Sequence, residues 1–193
     1  MRIAIFGGTF DPIHEAHLAI ARVAADRFRL DRVLIIPAGR PPHKDGATHA
    51  PYEARVRMAE LACAGEPRFE VSRLEEGDPP SYSIDTIERL SAGIAGSDEL
   101  FFIIGADAFA EIRTWRRWPD VVHDVTFIVI SRPGHTYEIP PGARVERLDT
   151  LKLRASSSSV RAALAAGGEP ALVPKAVLDY ILQHGLYGAT RPD

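Results

Sequence analysis

Two histidines three residues apart, His14 and His17, follow a pair of glycines, Gly7 and Gly8, at the start of a helix-like stretch. Side chains at i and i+3 share one helix face. There both rings can donate to the same anion that a helix N-terminus attracts. Paired glycines let the backbone turn sharply and approach a ligand closely, so the amides around Thr9 and Phe10 can face a phosphate. Asp11, beside Pro12, fits a turn or cap. A second cradle of the same kind lies far along the chain, where Ser156 to Ser159 precede the helix-forming run Val160 to Ala166. Serine hydroxyls and amides at a helix start hold anions. Arg161, near that start, opposes the helix dipole, a local cost that a bound anion would offset. Each stretch also has a plain reading: a helix cap with two surface histidines, and a serine linker.

Further candidates are scattered. Pro41-Pro-His43-Lys44 and Ser131-Arg132-Pro-Gly134 are cationic turns. Asp107 follows Gly105 and could cap a helix or meet a ligand. Trp115 and Trp118 could be core, or an exposed ring could stack on a flat ligand; Arg113, Arg116 and Arg117 surround Trp115. The sharper phosphate motifs are missing. There is no Gly-x-Gly-x-x-Gly fingerprint and no Walker loop, and the zincin spacing is missed by one residue.

These residues must be held by elements, and the chain supplies an alternating series. Strand-like runs cover Arg2 to Phe6, Arg32 to Ile36, Phe69 to Ser72, Glu99 to Ile104, Val125 to Ile130 and Arg144 to Leu148. Helical spacing predicts helices from Glu15 to Phe28, Tyr52 to Ala64, a start at Ser81 or Ser83 with either as cap, a short helix after Asp107, Val160 to Ala166 and Pro174 to His184. Gly167 and Gly185 are placed to stop the last two. Residues 37–51, rich in Pro and Gly, form a loop. Alternating strands and helices predict an α/β fold, a doubly wound parallel sheet with helices on both faces and right-handed crossovers. In such sheets ligands bind at the carboxyl ends of strands. Residues 7–17, 105–107 and 156–161 all fall at or near such ends.

The whole has 193 residues, 46% hydrophobic and 25% charged, which suits one globular domain over residues 1–193. A formal net charge of −3 argues against a surface that grips nucleic acid. The single cysteine, Cys63, excludes an intrachain disulfide and reads as a buried apolar residue. The apolar start is too short for a signal sequence, and no run approaches the ~18 apolar residues of a membrane span. A cytoplasmic chain without membrane attachment is expected; a homo-oligomer is compatible with the sequence.

The motifs together are more specific than any one alone. Gly7-Gly-Thr-Phe-Asp-Pro-Ile-His-Glu-Ala-His17 resembles the Gly-Gly-x-Phe-Asp-Pro-x-His-x-Gly-His signature of the nucleotidyltransferase superfamily, and Ala155-Ser-Ser-Ser-Ser-Val-Arg161 resembles its Ile-Ser-Ser-Thr-x-Ile-Arg signature. Pro41-Pro-His-Lys44, Ser81-Tyr-Ser-Ile-Asp-Thr86, Gly105-Ala-Asp107 with Trp115, Ser131-Arg-Pro-Gly134, Leu172-Val-Pro-Lys and Tyr180-Ile-Leu-Gln-His-Gly-Leu-Tyr187 are similar to bacterial nicotinate-nucleotide adenylyltransferases. The resemblance implies a Rossmann-like nucleotidyltransferase fold. It also implies adenylyl transfer from ATP to nicotinate mononucleotide, giving deamido-NAD and pyrophosphate in NAD biosynthesis. Mg2+ would be carried on the triphosphate, with no metal ligand from side chains and no covalent intermediate. It assigns His14, His17 and Arg161 to catalysis. Gly7, Gly8, Thr9, Phe10, Gly105, Asp107, Ser157 and Ser158 fall to ATP. His43, Lys44, Ser83, Trp115, Arg116 and Arg132 fall to the mononucleotide, with Trp115 stacking on the pyridine ring and amides near Ser83 and Arg116 meeting its carboxylate. This sequence departs from the pattern at Ala16 for glycine, Ala155 for an aliphatic residue, Ser158 for threonine and Arg116 for a more usual aromatic. Two rivals remain: a nicotinamide mononucleotide adenylyltransferase, and a nucleotide-binding sensor without turnover.

Overall fold

Short β-branched and aromatic runs pair here only with parallel neighbours. The computed structural model describes residues 1–41, 48–77, 80–131, 136–149 and 155–189. Its strands are β1 (Arg2–Gly8), β2 (Arg32–Pro37), β3 (Phe69–Val71), β4 (Glu99–Gly105), β5 (Thr126–Ser131) and β6 (Arg144–Asp149). They form one sheet in the order β3-β2-β1-β4-β5-β6, parallel throughout. The helices are α1 (Glu15–Arg27), α2 (Tyr52–Cys63), α3 (Ser83–Ser91), α4 (Ala106–Ala110), α5 (Trp118–Asp124), α6 (Ser157–Ala165) and α7 (Lys175–Gln183), with 3-10 turns at Ile112–Thr114 and Leu186–Gly188.

Alternation along the strands sends successive side chains to opposite faces. Ala4, Phe6, Val33, Ile35, Phe101, Ile103 and Ile128 pack on one side with α1, α2, α6 and α7. Ile3, Ile5, Leu34, Ile36, Phe102, Ile104, Phe127 and Val129 pack on the other with α3, α4 and α5. Central strands buried on both faces read as continuous apolar runs, as parallel sheets require. Each fully buried Ile, Leu or Phe contributes roughly 1.5–3 kcal/mol. Helix α1 turns a small-residue face inward, with Ala16, Ala21, Ala24 and Ala25 buried, and so packs close to the sheet.

The chain leaves β1 for β2 on one side and returns to β4 on the other, so order reverses at the β1–β4 pair. Crevices outside the carboxyl ends of strands at such a point are where open α/β sheets bind ligands.

The expected elements are present, with differences at their ends. The short helix after β4 begins at Ala106, with Gly105 rather than Asp107 at its N-cap. The third helix is capped at Tyr82, so neither Ser81 nor Ser83 is its cap; the Ser81 hydroxyl accepts the Arg40 amide at 3.2 Å instead. Helix α5 is unforeseen. It has seven residues, Pro119 in its first turn and only Val121 and Val122 buried, too little periodicity to read. Gly167 and Gly185 do follow α6 and α7 in left-handed conformation, at φ +74° and +60°. Cys63 ends α2, buried, with its thiol pushed up to about 11 by burial, and is therefore protonated and inert. Among the described residues no helix is long and apolar enough to cross a membrane.

Candidate active site

The first signature begins as β1 ends. The Gly8 carbonyl accepts the Ala38 amide at 2.8 Å, tying β1 to the exit of β2. The chain then doubles back. Phe10 takes a left-handed φ of +48° and its ring, 2% exposed, returns beneath Gly8. A β-carbon on Gly8 would stand 3.0 Å from that ring, so glycine fits where a larger residue would displace it. Gly7 and Thr9 flank this turn and complete the loop around the end of β1.

His14 is the N-cap of α1 and His17 its third residue. The rings stack at 3.8 Å between centroids and 23° between planes. The His17 ring also meets the edge of Phe10 at 5.1 Å and of Phe6 at 6.1 Å. His17 Nδ1 accepts the His14 backbone amide at 3.2 Å, the back-reach that a glutamate makes in a capping box. That bond fixes a tautomer with the proton on Nε2. Burial depresses both rings, His14 to about 4 and His17 to about 3, with the neighbouring His14 adding to the effect on His17. At neutral pH they are uncharged N–H donors, because a ring stacked on another ring and walled by phenyl groups cannot hold a proton cheaply. His14 Nδ1 is buried with no hydrogen-bond partner, an orphan that calls for a functional or solvent explanation. Ala16, in place of the signature glycine, is buried at 6% exposure and leaves the histidine stack intact.

The second signature reaches the first. Ser156 caps α6, its hydroxyl accepting the Ser159 amide at 3.1 Å. The serine run is thus a helix start and not a linker. Ser157 donates to the Pro12 carbonyl at 3.0 Å, and Arg161 Nη1 donates to the Asp11 carbonyl at 2.7 Å. Arg161 Nη2 also donates to the Ser158 hydroxyl at 3.3 Å. Arg161 is the fifth residue of α6, one turn in from where the sequence suggested. Two helix N-termini, α1 and α6, are stitched together beside the histidine stack, each with orphan amides and a positive dipole end.

Two residues that sequence reasoning undervalued hold this arrangement. The Asp11 carboxylate, 4% exposed, is no simple cap. It accepts the amides of His49 (2.6 Å) and Ala50 (3.0 Å) and the Tyr187 hydroxyl (2.8 Å). Arg55 on α2, 1% exposed, was not singled out at all. Its guanidinium donates to the carbonyls of Ala50 (3.3 Å), Thr9 (2.8 Å), Ala38 (2.7 Å) and Gly39 (3.4 Å). Burial pushes it down and the Asp11 charge partly restores it. An arginine inside a run otherwise helical and amphipathic was the available signal. A fully buried face seldom carries arginine unless its five donors have work.

On the other side of the reversal, Gly105 and Asp107 stand exposed at the end of β4 and in the first turn of α4. Beyond them Trp115, half-buried, sets its indole edge-on to Phe102 of β4 at 5.9 Å. The Arg116 guanidinium lies 4.8 Å over the Tyr82 ring and 3.9 Å from the Asp85 carboxylate. Ser83, the first residue of α3, lies between those two contacts in sequence, so Ser83, Trp115 and Arg116 fall in one neighbourhood. Ser81 ties the segment ahead of α3 to the exit of β2 through paired bonds with Arg40, at 3.0 and 3.2 Å. His43, Lys44 and Arg132 lie outside the described residues.

Comparison with known proteins gives the family. The model of the cytidylyltransferase-like family matches residues 5–163. A Solibacter usitatus protein described as a probable nicotinate-nucleotide adenylyltransferase is 65% identical over 187 residues, covering 97% of this chain and all of the relative. A Thermus thermophilus protein of the same description is 45% identical over 189 residues, covering 97% and 100%. Among solved structures, Plasmodium falciparum nicotinic acid mononucleotide adenylyltransferase complexed with NaAD superposes with a TM-score of 0.80 over 97% of both chains. At 19% identity that likeness concerns the fold.

Proposed function

Because the chain belongs to the cytidylyltransferase-like family, and within it to the nicotinate-nucleotide adenylyltransferases, we propose that it joins ATP to nicotinate mononucleotide in NAD biosynthesis. A phosphate oxygen of the mononucleotide attacks the α-phosphorus of ATP. The new bond to phosphorus forms as the bond to the β-phosphate oxygen breaks, and pyrophosphate leaves with the electron pair. The products are deamido-NAD and pyrophosphate, with no enzyme-bound intermediate. Catalysis of this kind is positioning and charge stabilisation more than protein nucleophilicity.

The observation that carries the reading is the union of the two helix starts beside the stacked histidines, through Ser157 to Pro12 and Arg161 to Asp11. His17 and His14 would donate neutral N–H groups to the phosphates. Arg161 would supply the permanent charge, with Ser157, Ser158 and the amides near Thr9 and Phe10 beside it. Gly105 and Asp107 would meet the adenosine part. Trp115 would stack on the pyridine ring. His43, Lys44 and Arg132 would meet the mononucleotide phosphate. Mg2+ would arrive on the triphosphate and neutralise its charge; among the described residues no three His, Cys, Asp or Glu side chains come together to hold a metal. We place the reaction in the cytoplasm.

Arg116 favours the nicotinate over the nicotinamide form. Its guanidinium, held by Tyr82 and Asp85 at the start of α3, would attract a ring carboxylate. The test is pyrophosphate release from ATP and Mg2+ with nicotinate and nicotinamide mononucleotides side by side. Release with the nicotinate form alone is expected. Equal release with both would keep the chemistry and overturn the selectivity; release with neither, despite ATP binding, would move the reading to a sensor.

A further inference from the structure

The 3-10 turn Leu186–Gly188 belongs to neither helix start, yet it reaches the signature loop. Tyr187 sits at φ +59°, in left-handed backbone that non-glycine residues avoid, with Gly185 and Gly188 on either side at +60° and +73°. Such a conformation persists only where its surroundings over-determine it. Here the hydroxyl donates to Asp11 Oδ1 at 2.8 Å, across 176 residues. Leu186 and Tyr187 pack on the edge of the core, and the turn lies against α6. Burial and the Asp11 carboxylate push the phenol far up, so it remains a donor at any working pH.

The three bonds to Asp11 do not pull in one direction. His49 and Ala50 hold it from the loop ahead of α2. Tyr187 holds it from the side of α6, the helix whose Arg161 and Ser157 grip the next two carbonyls of the same loop. We infer that Tyr187 is a positioning residue for adenylyl transfer: through Asp11 its hydroxyl fixes the Asp11 and Pro12 carbonyls, and so sets where Arg161 meets the phosphates. The inference rests on the phosphate cradle proposed above.

The test compares Tyr187→Phe, Asp11→Asn, the double variant and Leu186→Ala by steady-state kinetics and unfolding midpoint. Tyr187→Phe should lower kcat about tenfold and leave the KM for nicotinate mononucleotide within about twofold, since small misplacements of catalytic groups act on the transition state. Asp11→Asn, which tests the other end of the same bond, should lower kcat as well. Adding Tyr187→Phe to it should cost less than about twofold more, because residues acting through one contact are not additive. Leu186→Ala, which removes packing but keeps the hydroxyl, should lower the unfolding midpoint and lower kcat less than Tyr187→Phe does. Wild-type kcat in Tyr187→Phe, fully multiplicative losses in the double variant, or an equal kcat loss in Leu186→Ala would each overturn the inference. A wild-type protein that forms no product overturns the functional reading instead, and is told apart by that.

Discussion

At the scale of single residues the two histidines carry the sharpest physical consequence. Their spacing was legible and their charge was not, because charge depends on what surrounds a ring. Phe6, Phe10 and the partner imidazole crowd the half-buried His17, and the fold buries His14 to 3% exposure. Both folded-state values, about 4 and about 3, lie below the ordinary 6.5. An unfolded chain thus binds protons that the folded one refuses, and stability must rise with pH where that difference exists. The contribution is complete above about pH 6.5 and is lost as pH falls toward 4. For His14 alone the loss amounts to about 3 kcal/mol at pH 4, and His17 acts in the same direction. Denaturant unfolding from pH 4 to 8 should therefore show a slope below 6.5 and a plateau above it, with the slope reduced in His14→Gln. Equal slopes in the two proteins would mean that the ring titrates normally. Turnover, on the same argument, should show no ionisation of these rings near pH 6.5.

Elements were more legible than their junctions. The six strands and most helices follow from apolar period alone, and the serine cap of α6 from residue type. What escaped were contacts made after the elements are placed. Arg55 looks like an ordinary helix residue until the exits of β1 and β2 bring four carbonyls to it. Gly39 looks like loop filler until the segment after β3 closes over it; a β-carbon there would lie 2.0 Å from the Glu75 carbonyl oxygen. Trp115 lies between these cases. It follows the 3-10 turn, packs at the margin of the core edge-on to Phe102, and stays half-buried. A half-buried indole contributes less to folding than a core one. Trp115→Ala should destabilise by about 1–2 kcal/mol, below the ~3–5 kcal/mol of a fully buried tryptophan. Its loss should raise the KM for nicotinate mononucleotide about tenfold, the order of one good aromatic stacking contact, and leave the KM for ATP near its starting value. A change confined to the ATP constant would remove the indole from the pyridine site.

For the molecule as a whole the decisive fact is how far apart in sequence the site's parts lie. Ser157 reaches Pro12 across 145 residues, Arg161 reaches Asp11 across 150 and Tyr187 reaches Asp11 across 176. No local pattern encodes such distances. They follow from a parallel sheet whose order reverses at β1 and β4, so that the first loop of the chain and its last helices end at the same edge. The resemblance to a known signature could pair the two motifs, but only the sheet explains why they meet. A ligand bound there must stabilise both ends of the chain together. A nonhydrolysable ATP analogue at ~100 times its dissociation constant adds about 2.7 kcal/mol to the folded state. Amide hydrogen exchange should then slow in residues 157–161 and at Tyr187 as much as in residues 14–18, while the surface turn at residues 92–97, remote from the carboxyl edge, keeps its local exchange rate. Protection confined to residues 14–18 would mean that the first helix start binds the phosphates alone. The bonds from Arg161 and Ser157 would then be struts of the fold and not part of the cradle.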